Sequence, residues 1–482
     1  MNRFSVRITK ISIANFKNTI HGEISLINKN KKSQASVLGI YGQNGSGKTS
    51  LIDAISLLKL ALTGQKIPST YANFINTEQE DKRASFAFEF ILKNRTAELP
   101  LTYSFSIQAK VVNHDNLPEQ TLNTGSLKVF VEDESLECPI YSNKEPSKRK
   151  KGKFLYYDKV NTLLPLCKKN LLAGDNSQVE TSLKVAQQLA YERSEAFLFS
   201  KDFIKILRQR FTSISDLGQD KTEFEYYYNV IESLITYGNM GLFVVKTDSS
   251  GLLNLNLQTL NFKYNYGANR ALGSVAIPLN DSGLIPAPAF SVVNRVFANL
   301  NIVLSKIIPS LTVIVKNLGE QLLQDGSKGY RIQLLSQKNL HKIPLAYESE
   351  GIKKIISVLQ LLIVVYNDAS TTVAIDELDS GIFEYLLGEI LNIVSENGKG
   401  QLIFTSHNLR PLETIDKGFI AFTTINSNNR YVRATNVKST NNLRDIYYKN
   451  IMLDEYRDDL YEQTNNSEIA FAFREAGVSN GS

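Results

Sequence analysis

Cysteine, histidine and proline are all scarce in this sequence of 482 residues. The two cysteines, Cys138 and Cys167, are too few for a disulfide framework, and they indicate free thiols in a reducing cytoplasm. The four histidines are scattered, and none lies at metal-ligand spacing from a cysteine or another histidine, so a zinc site is not expected. A disordered or collagen-like chain is excluded, because only 12 prolines accompany 22 tyrosines and 24 phenylalanines.

The sequence also lacks a strong excess of charge and a long apolar run. The formal net charge of +6 permits nucleic acid as a partner without indicating it. The N-terminus has no uninterrupted apolar block of the signal-peptide kind. The most apolar stretch, Ile355 to Tyr366, is too short to span a bilayer and predicts a buried helix. We therefore expect a cytoplasmic protein with no membrane partner.

The order of periodic segments predicts an α/β fold. Alternating residues 5–15 and the β-branched run 37–41 indicate strands, and residues 50–63 have helical spacing. Four further strands are expected between 84 and 157, as an antiparallel lobe, and helices are expected over the ranges 178–212, 224–236 and 290–307. No heptad array or internal repeat occurs, so any insertion should be compact.

The strongest motif is GQNGSGKTS, from Gly42 to Ser50. It fits the phosphate-loop pattern and lies between a predicted strand and a predicted helix. Glycines let the backbone wrap around phosphates, Lys48 would neutralise the β- and γ-phosphates, and the Thr49 hydroxyl would bind Mg²⁺. A chance glycine-rich turn is the alternative. The predicted nucleotide-binding residues of this loop are Gly42, Asn44, Gly45, Ser46, Gly47, Lys48, Thr49 and Ser50.

A short apolar strand followed by two carboxylates forms the second motif, TTVAIDELDSG. Asp376, at the carboxyl end of this strand, could bind Mg²⁺, and Glu377 could polarise a water aimed at the γ-phosphate. The alternative is an acidic turn at the protein surface, which would explain this segment equally well if the segment were considered alone. The presence of the phosphate loop favours the functional interpretation.

The third motif, QLIFTSHN, would end a strand at His407. His407 follows Glu377 by 30 residues, which fits one β-α-β crossover and would bring its imidazole near the γ-phosphate. The alternative is a lone histidine in a polar turn.

A serine and a glycine, Ser349 and Gly351, stand at the start of a strongly apolar predicted helix. A helix N-terminus of this kind can bind an anion. Taken alone, an ordinary N-cap at Ser349 is the better interpretation.

The distance along the chain between the motifs predicts the domain organisation. Lys48 and Asp376 are 328 residues apart, so an ATP site would be assembled from both ends of the chain. The predicted units are residues 1–170 with the phosphate loop and antiparallel lobe, 171–330 as an inserted lid or dimerisation region, 331–440 as the C-terminal half of the head, and 441–482 as a helical tail.

Taken together and in order, five segments of the chain resemble the ABC-type ATPase heads of the SMC, Rad50 and RecF group. They are ISIANFKN, GQNGSGKTS, the serine–glycine helix start, VAIDELDSG and FTSHN. The chain is most similar to RecF-like prokaryotic "AAA" ATPases, which include overcoming-lysogenization-defect ATPases and the ATPase subunits of PARIS- or Septu-type antiphage defence systems. The resemblance covers about residues 1–110 and 340–450. The chain departs from the family at its signature, where E-S-E-G replaces a consensus near L-S-G-G.

The resemblance implies a head-to-tail dimer or higher oligomer with ATP and Mg²⁺ at the seam. Each ATP would lie between the phosphate loop of one subunit and the Ser349–Gly351 helix of the other, and Asp379 would cross the seam. Asn15 and Lys17 would line the nucleotide site. The phosphate-sensing glutamine of the family has no clear counterpart, and Gln79 is the nearest candidate.

The resulting prediction is an ATP-hydrolysing sensor or scaffold of an antiphage defence system. The effector, a nuclease or toxin, should be a separate protein, because only 42 residues follow the ATPase core and the acidic group of 454–459 is better explained as a solvated face. A phage protein or DNA would be the trigger. The alternative is a repair ATPase that binds DNA directly, and the basic loop 148–153 could then contact the phosphate backbone. Taken alone, this loop is better explained as a solvated hairpin tip.

Overall fold

The computed structural model describes most of the chain. The described ranges are 4–27, 35–76, 82–94, 97–112, 126–142, 150–157, 167–174, 177–214, 218–246, 257–266, 269–278, 282–433, 443–445, 447, 460 and 465–478. Three sites considered from the sequence lie outside these ranges: Gln79, the basic tip from Lys148 to Arg149, and the acidic group from Asp454 to Asp459.

The strands are numbered in chain order. They are β1 Ser5–Phe16, β2 Thr19–Ser25, β3 Ser36–Tyr41, β4 Arg83–Lys93, β5 Glu98–Val112, β6 Ser126–Pro139, β7 Lys151–Tyr157, β8 Leu242–Val245, β9 Leu257–Tyr266, β10 Asn269–Pro278, β11 Gly283–Pro286, β12 Leu311–Leu322, β13 Lys328–Lys338, β14 His341–Pro344, β15 Thr372–Ile375, β16 Gln401–Thr405, β17 Ile420–Thr423 and β18 Tyr431–Arg433.

The α-helices of the described residues are numbered in the same way. They are α1 Lys48–Leu62, α2 Lys169–Leu172, α3 Ser177–Arg193, α4 Lys201–Ser213, α5 Gly218–Met240, α6 Ala287–Ile307, α7 Glu350–Asn367, α8 Glu384–Asn397, α9 Pro411–Thr414 and α10 Asn466–Val478. Short 3-10 turns cover Ser69–Phe74, Phe197–Phe199, Leu345–Tyr347 and Lys417–Phe419.

A six-stranded sheet with the order β18-β17-β3-β16-β15-β8 carries the phosphate loop. Strands β17, β3, β16, β15 and β8 run parallel, and β18 is antiparallel at one edge. The parallel strands are short, and those at the centre are buried except at Ser36, as expected for a sheet covered on both faces. Because β3 comes from the N-terminal part and β15 to β18 from the C-terminal part, both ends of the chain build this sheet.

The second large sheet is antiparallel, with the order β2-β1-β4-β5-β6-β7. Alternate side chains of β4 are buried, so one face of this sheet packs into the core and the other faces solvent. Gln401 joins the two sheets, because its side chain exchanges two 2.8 Å hydrogen bonds with the backbone of Ile8. The predicted α/β class, with an antiparallel lobe and a head built from both ends of the chain, is confirmed.

The middle of the chain is packed into the head. Helices α3, α4 and α5 contribute side chains to the same hydrophobic cluster as α1 and the antiparallel sheet. Strand β8 then joins the parallel sheet beside β15. The first part of the segment 171–330, expected as an insertion, is thus integral to the head and its core.

A second hydrophobic cluster lies on the other side of the parallel sheet. It combines α7 and α8 with α6 and the small antiparallel sheet of β11, β13, β12 and β14. Helix α7 is apolar around most of its circumference, which explains its burial. Within the described residues one helix, α6, is long and apolar enough by length and composition to cross a membrane. One face of α6 packs into this cluster through Val293, Phe297 and Leu300.

The structure changes the boundaries of several predicted elements. The helix expected over 178–212 is two helices, interrupted between Arg193 and Lys201. Ser194 has a left-handed φ of 60°, which ends α3, and Ser200 caps α4 by accepting a hydrogen bond from the backbone N–H of Phe203. The predicted helical tail, residues 441–482, contributes the exposed helix α10, and most of the tail before α10 lies outside the described residues.

Candidate nucleotide-binding site

The predicted motifs converge at the carboxyl edge of the parallel sheet. Strand β3 leads into the phosphate loop, β15 into Asp376, and β16 into Ser406. Because these strands are neighbours and run in the same direction, their carboxyl ends meet at one edge, where ligands bind in open α/β sheets. Lys48 and Asp376, which are 328 residues apart in the sequence, therefore lie at the same edge of the sheet.

The phosphate loop wraps in the way its glycines allow. Gly45 and Gly47 have left-handed φ angles of 80° and 96°. Residues other than glycine rarely adopt this backbone conformation. A Cβ at Gly45 would meet no atom within 4 Å, so the backbone here is open to a ligand. Helix α1 begins directly after Gly47, and its N-terminus therefore points at this open loop.

The Lys48 amine is held across the loop. It donates hydrogen bonds to the carbonyl oxygens of Gly42 (2.7 Å) and Gln43 (2.9 Å). Burial lowers the pKa of Lys48, and the nearby carboxylates of Asp376, Glu377 and Asp379 oppose that shift. A phosphate group would add negative charge beside an amine that has lost part of its hydration.

The other predicted loop residues face in different directions. Asn44 and Thr49 are exposed, so both are accessible to a ligand. Ser46 is buried and donates to the carbonyl of Gln43 at 2.6 Å, and Ser50 points its hydroxyl at the side-chain oxygen of Asn18, 3.4 Å away. The hydroxyls of Ser46 and Ser50 thus contact other atoms of the protein and help to hold the conformation of the loop.

Sequence reasoning missed three residues that pack against the loop: Thr423 of β17, Tyr431 of β18, and Arg430 immediately before β18. The Tyr431 hydroxyl donates to the carbonyl of Gly47 at 2.9 Å. The Thr423 hydroxyl bonds Ser46 and lies where a Cβ at Gly42 would overlap it. Arg430 is buried and donates to the carbonyl of Asn18 and, at 2.6 Å, to that of Thr424. No local motif in the sequence marks these three residues.

The acidic motif is ordered by a threonine of the neighbouring strand. Asp376 is buried and accepts a 2.6 Å hydrogen bond from the Thr405 hydroxyl through Oδ1. The same oxygen lies 3.4 Å from the Thr49 hydroxyl. The backbone N–H of Glu377 donates to the Thr405 hydroxyl at 2.7 Å. Thr405 was not predicted, although it precedes Ser406 and His407 in the third motif.

Glu377 adopts an unusual backbone conformation. Its φ is 48°, in the left-handed region that costs free energy for a residue with a Cβ. Strained residues of this kind cluster at functional sites, where the surrounding structure holds them in place. The hydrogen bond from Glu377 to Thr405 provides that restraint.

Asp379 and His407 are linked within the same chain. Oδ2 of Asp379 accepts hydrogen bonds from the backbone N–H groups of His407 (3.0 Å) and Asn408 (2.9 Å). Its other oxygen, Oδ1, is buried and makes no hydrogen bond in the described part of the chain. The imidazole of His407 is exposed at the same edge of the sheet.

Ser349 and Gly351 lie at the start of α7, as expected. Ser349 is an N-cap that accepts a 3.3 Å hydrogen bond from the backbone N–H of Ile352. A Cβ at Gly351 would overlap the carbonyl oxygen of Gly381, so this position requires glycine for a close approach of two backbones. The helix start therefore contacts the loop that follows Asp379.

Helix α7 also contributes a lysine to the acidic region, which the sequence did not indicate. Lys354 is buried, and burial lowers its pKa, while the carboxylates of Glu377, Asp376 and Asp379 act in the opposite direction. The Lys354 amine of α7 therefore interacts electrostatically with the carboxylates of the acidic motif.

Asn15 and Lys17, expected beside the nucleotide, make contacts within the protein. Asn15 donates to the carbonyl of Arg83 at 2.8 Å. Lys17 forms an ion pair with Asp53 of α1, and its amine lies 4.2 Å from the centre of the Phe74 ring. Both residues have left-handed φ angles, of 57° and 52°.

The donor set at the edge of the sheet fits a magnesium ion shared with phosphate. The Thr49 hydroxyl and the Asp376 carboxylate are oxygen donors of the kind Mg²⁺ prefers. Within the described residues no group of three or more His, Cys, Asp or Glu side chains could hold a metal by itself. Mg²⁺ commonly binds through one or two protein groups together with waters and phosphate oxygens.

Three comparisons with known proteins bear on this site. Residues 10–232 match the family model described as an AAA domain. No curated protein matches the chain. Among solved structures, the chain is similar to the Smc head domain with an extended coiled coil bound to the C-terminal domain of ScpA, from Pyrococcus furiosus. The two sequences are 13% identical and the TM-score is 0.39, and the match covers 89% of this chain and 96% of the other.

Two further solved structures are similar over most of the chain. The SMC head domain from Thermotoga maritima has 14% identity and a TM-score of 0.35, covering 89% of this chain and 98% of the other. The recombination mediator protein RecF with ATP has 11% identity and a TM-score of 0.36, covering 89% and 99%. The AAA-domain match, which contains the phosphate loop and α1, supports an ATP-binding ATPase.

Proposed function

We propose that this chain is an ATPase of the SMC, Rad50 and RecF type that binds and hydrolyses ATP with Mg²⁺. The observation that carries the proposal is the 3.4 Å distance between the Thr49 hydroxyl and Oδ1 of Asp376. These two residues come from opposite ends of the chain, and they are the two groups that a phosphate-loop ATPase uses to hold its metal.

Binding would rest on the phosphate loop. The open backbone N–H groups around Gly45 and the N-terminus of α1 would receive the phosphates, and the Lys48 amine would exchange its bonds to carbonyls for phosphate oxygens. Thr49 and Asp376 would hold Mg²⁺, which when bound neutralises charge on the phosphates.

Glu377 is proposed as the general base. Its strained backbone and its bond to Thr405 fix its position directly after the metal-binding Asp376. From there its carboxylate would take a proton from the water that attacks the γ-phosphate. His407, exposed at the end of the neighbouring strand, would contact the γ-phosphate from the other side.

We further propose that two copies pair head to tail around two ATP molecules. The N-terminus of α7 at Ser349 is exposed, while the body of the helix is buried, so its positive end is available to a phosphate of the partner. Asp379 would lie beside this seam, because the carbonyl oxygen of Gly381, two residues further on, packs against Gly351 at the start of α7.

The proposed biological role is a sensor or scaffold subunit of a bacterial antiphage defence system. ATP would hold the dimer closed, a phage protein or DNA would change that state, and a separate nuclease or toxin would respond. The support is the resemblance of the motifs and the packing of the helices between 177 and 240 onto the head, which favours a compact switch.

Hydrolysis by the purified chain tests the ATPase. Glu377→Gln should reduce turnover at least ~100-fold while ATP still binds, because the carboxamide cannot take a proton. A matched control is Glu389→Gln on the outer surface of α8, which should leave the rate unchanged. Unchanged hydrolysis in Glu377→Gln would contradict the assignment of the base, and ATP-dependent, salt-sensitive DNA binding would favour the repair alternative over defence.

A further inference from the structure

One strand of the parallel sheet is followed directly by a charged residue that none of the motifs includes. Strand β8 pairs in parallel with β15, with Val245 opposite Ile375. The backbone N–H of Asp376 donates to the carbonyl of Val245 at 2.9 Å. Lys246 is the next residue, so its backbone leaves the sheet beside the proposed metal-binding carboxylate.

The Lys246 side chain is held by two residues. Its amine lies 2.6 Å from Oδ1 of Asp53 and donates a 2.7 Å hydrogen bond to the Tyr71 hydroxyl. Its side chain is 28% exposed, whereas that of Asp53 is only 6% exposed. Solvent and solutes can therefore reach the lysine more easily than its partner.

The cluster formed by Lys17, Asp53 and Lys246 has an excess of positive charge. Both lysines pair with the single carboxylate of Asp53. One lysine is enough to neutralise that carboxylate, so the second contributes a surplus charge of one. A partly buried cationic cluster of this kind attracts an anion.

The cluster is also close to the proposed phosphate site. Asp53 follows Thr49 by one turn of α1, and residues four apart on a helix lie on the same face with Cβ atoms roughly 5–6 Å apart. The Lys246 amine is bonded to Asp53 and therefore lies on the side of α1 that carries the hydroxyl assigned to the metal, one helical turn further along the helix. A lysine side chain can cover that distance by changing rotamers.

We propose that Lys246 is a second phosphate-binding cation of this site, which recognises the terminal phosphate of a nucleoside triphosphate. This inference rests on the proposed function. When a triphosphate binds, the amine leaves Asp53 for a phosphate oxygen, and Asp53 stays neutralised by Lys17. Asp53 and Tyr71 position the amine in the absence of the ligand.

A purely structural role for Lys246 makes a different prediction. If the lysine only braces β8 against α1, its loss should lower the melting temperature and weaken ATP and ADP binding together. If it binds the terminal phosphate, its loss should weaken ATP binding selectively, because ADP lacks that group. The ratio of the two affinities separates the roles.

The experiment uses full-length chain carrying Glu377→Gln, so that ATP stays intact, with Mg²⁺ present. Titration calorimetry measures the affinity for ATP and for ADP with Lys246→Met, Lys246→Arg and Lys59→Met added to that background. Lys59 is the matched control, since it is a half-buried lysine of α1 that lies over Phe243 at the other end of β8, 5.7 Å from the ring.

We expect Lys246→Met to weaken ATP binding about tenfold and ADP binding less than twofold, as for a lost charge-assisted bond. Lys246→Arg should keep most of the preference for ATP, and Lys59→Met should keep all of it. Equal losses for ATP and ADP, or an unchanged ATP affinity in Lys246→Met, would overturn the inference alone. If the Glu377→Gln chain binds neither nucleotide, the proposed function itself is wrong.

Discussion

The Thr405 hydroxyl links the two acidic residues of the site. It donates to Oδ1 of Asp376 at 2.6 Å and accepts a hydrogen bond from the backbone N–H of Glu377 at 2.7 Å. One side chain on β16 thus positions both the proposed metal ligand and the proposed base, which directly follow β15.

Replacing Thr405 with valine should slow hydrolysis while the fold is retained. Valine has nearly the same shape but leaves the Asp376 carboxylate and the Glu377 N–H without their partner, and a lost hydrogen bond to a charged group costs roughly 1.5–3 kcal/mol. We expect kcat to fall at least ~10-fold, measured by phosphate release. Thr405→Ser keeps the hydroxyl and is the control. Equal rates for Thr405→Val and Thr405→Ser would show that this hydroxyl is not needed.

Removing the Tyr431 hydroxyl should loosen the phosphate loop. The bond to the carbonyl of Gly47 is buried, and losing it costs about 1 kcal/mol, or roughly fivefold in an equilibrium constant. We expect Tyr431→Phe to weaken ATP binding by about that factor in calorimetry. Tyr330→Phe, on the separate small sheet of β13, is the control. If both variants bind ATP like the unmodified chain, the support from β18 is not important for the loop.

A methyl group at Gly351 should disturb the contact between α7 and the loop after Asp379. Because an added Cβ would overlap the carbonyl oxygen of Gly381, the two backbones must separate, and overpacking of this kind costs typically 1–3 kcal/mol. We expect Gly351→Ala to lower the melting temperature and to reduce ATP-dependent dimerisation in light scattering, while monomeric ATP binding persists. Gly152→Ala, which meets only the flexible side chain of Ile140, is the control. Unchanged melting and dimerisation would show that this close approach is not needed.

Stability should depend on pH through Glu134. This side chain is fully buried, and burial raises its pKa to about 7, although hydrogen bonds from Tyr103 and from the backbone N–H groups of Phe197 and Leu198 act in the opposite direction. Since the folded-state pKa exceeds the unfolded value of ~4.3, this contribution to stability is complete below pH ~4 and is lost as the pH rises through 7.

Glu134→Gln should remove that loss, because the carboxamide stays neutral at every pH. Relative to the variant, the unmodified chain should lose roughly 3 kcal/mol of unfolding free energy between pH 4 and 8. Urea unfolding at several pH values measures the difference. Glu137→Gln, a half-buried glutamate on the same strand, serves as the control. A difference between Glu134→Gln and the unmodified chain that does not vary with pH would contradict the raised pKa.

The fold could be predicted where local pattern and motif agree. The run 37–41, the glycine loop and the apolar helix after it became β3, the phosphate loop and α1, because each element has a strong period and its own boundary signals. The break between α3 and α4 was missed, since residues 194–200 carry no proline or glycine to mark it. Its cause is the left-handed Ser194 and the cap at Ser200.

The part of the site that could not be predicted depends on tertiary contacts. Thr423 and Tyr431 reach the phosphate loop only because β17 lies beside β3, which no periodicity in the sequence reveals. Lys246 has an equally plain sequence context, a lysine after four apolar residues. Its position became informative only when β8 was found next to β15.

A double-mutant cycle on Thr49 and Asp376 tests most directly whether the two ends of the chain form one site for Mg²⁺ and ATP. The affinity for ATP in the presence of Mg²⁺ is measured for Thr49→Val, Asp376→Asn and the double variant. The account predicts strong coupling, with the double variant no more than about threefold weaker than the worse single variant, because either change alone removes the shared ion. Losses that simply multiply would show that the two residues act independently, and would contradict the single site.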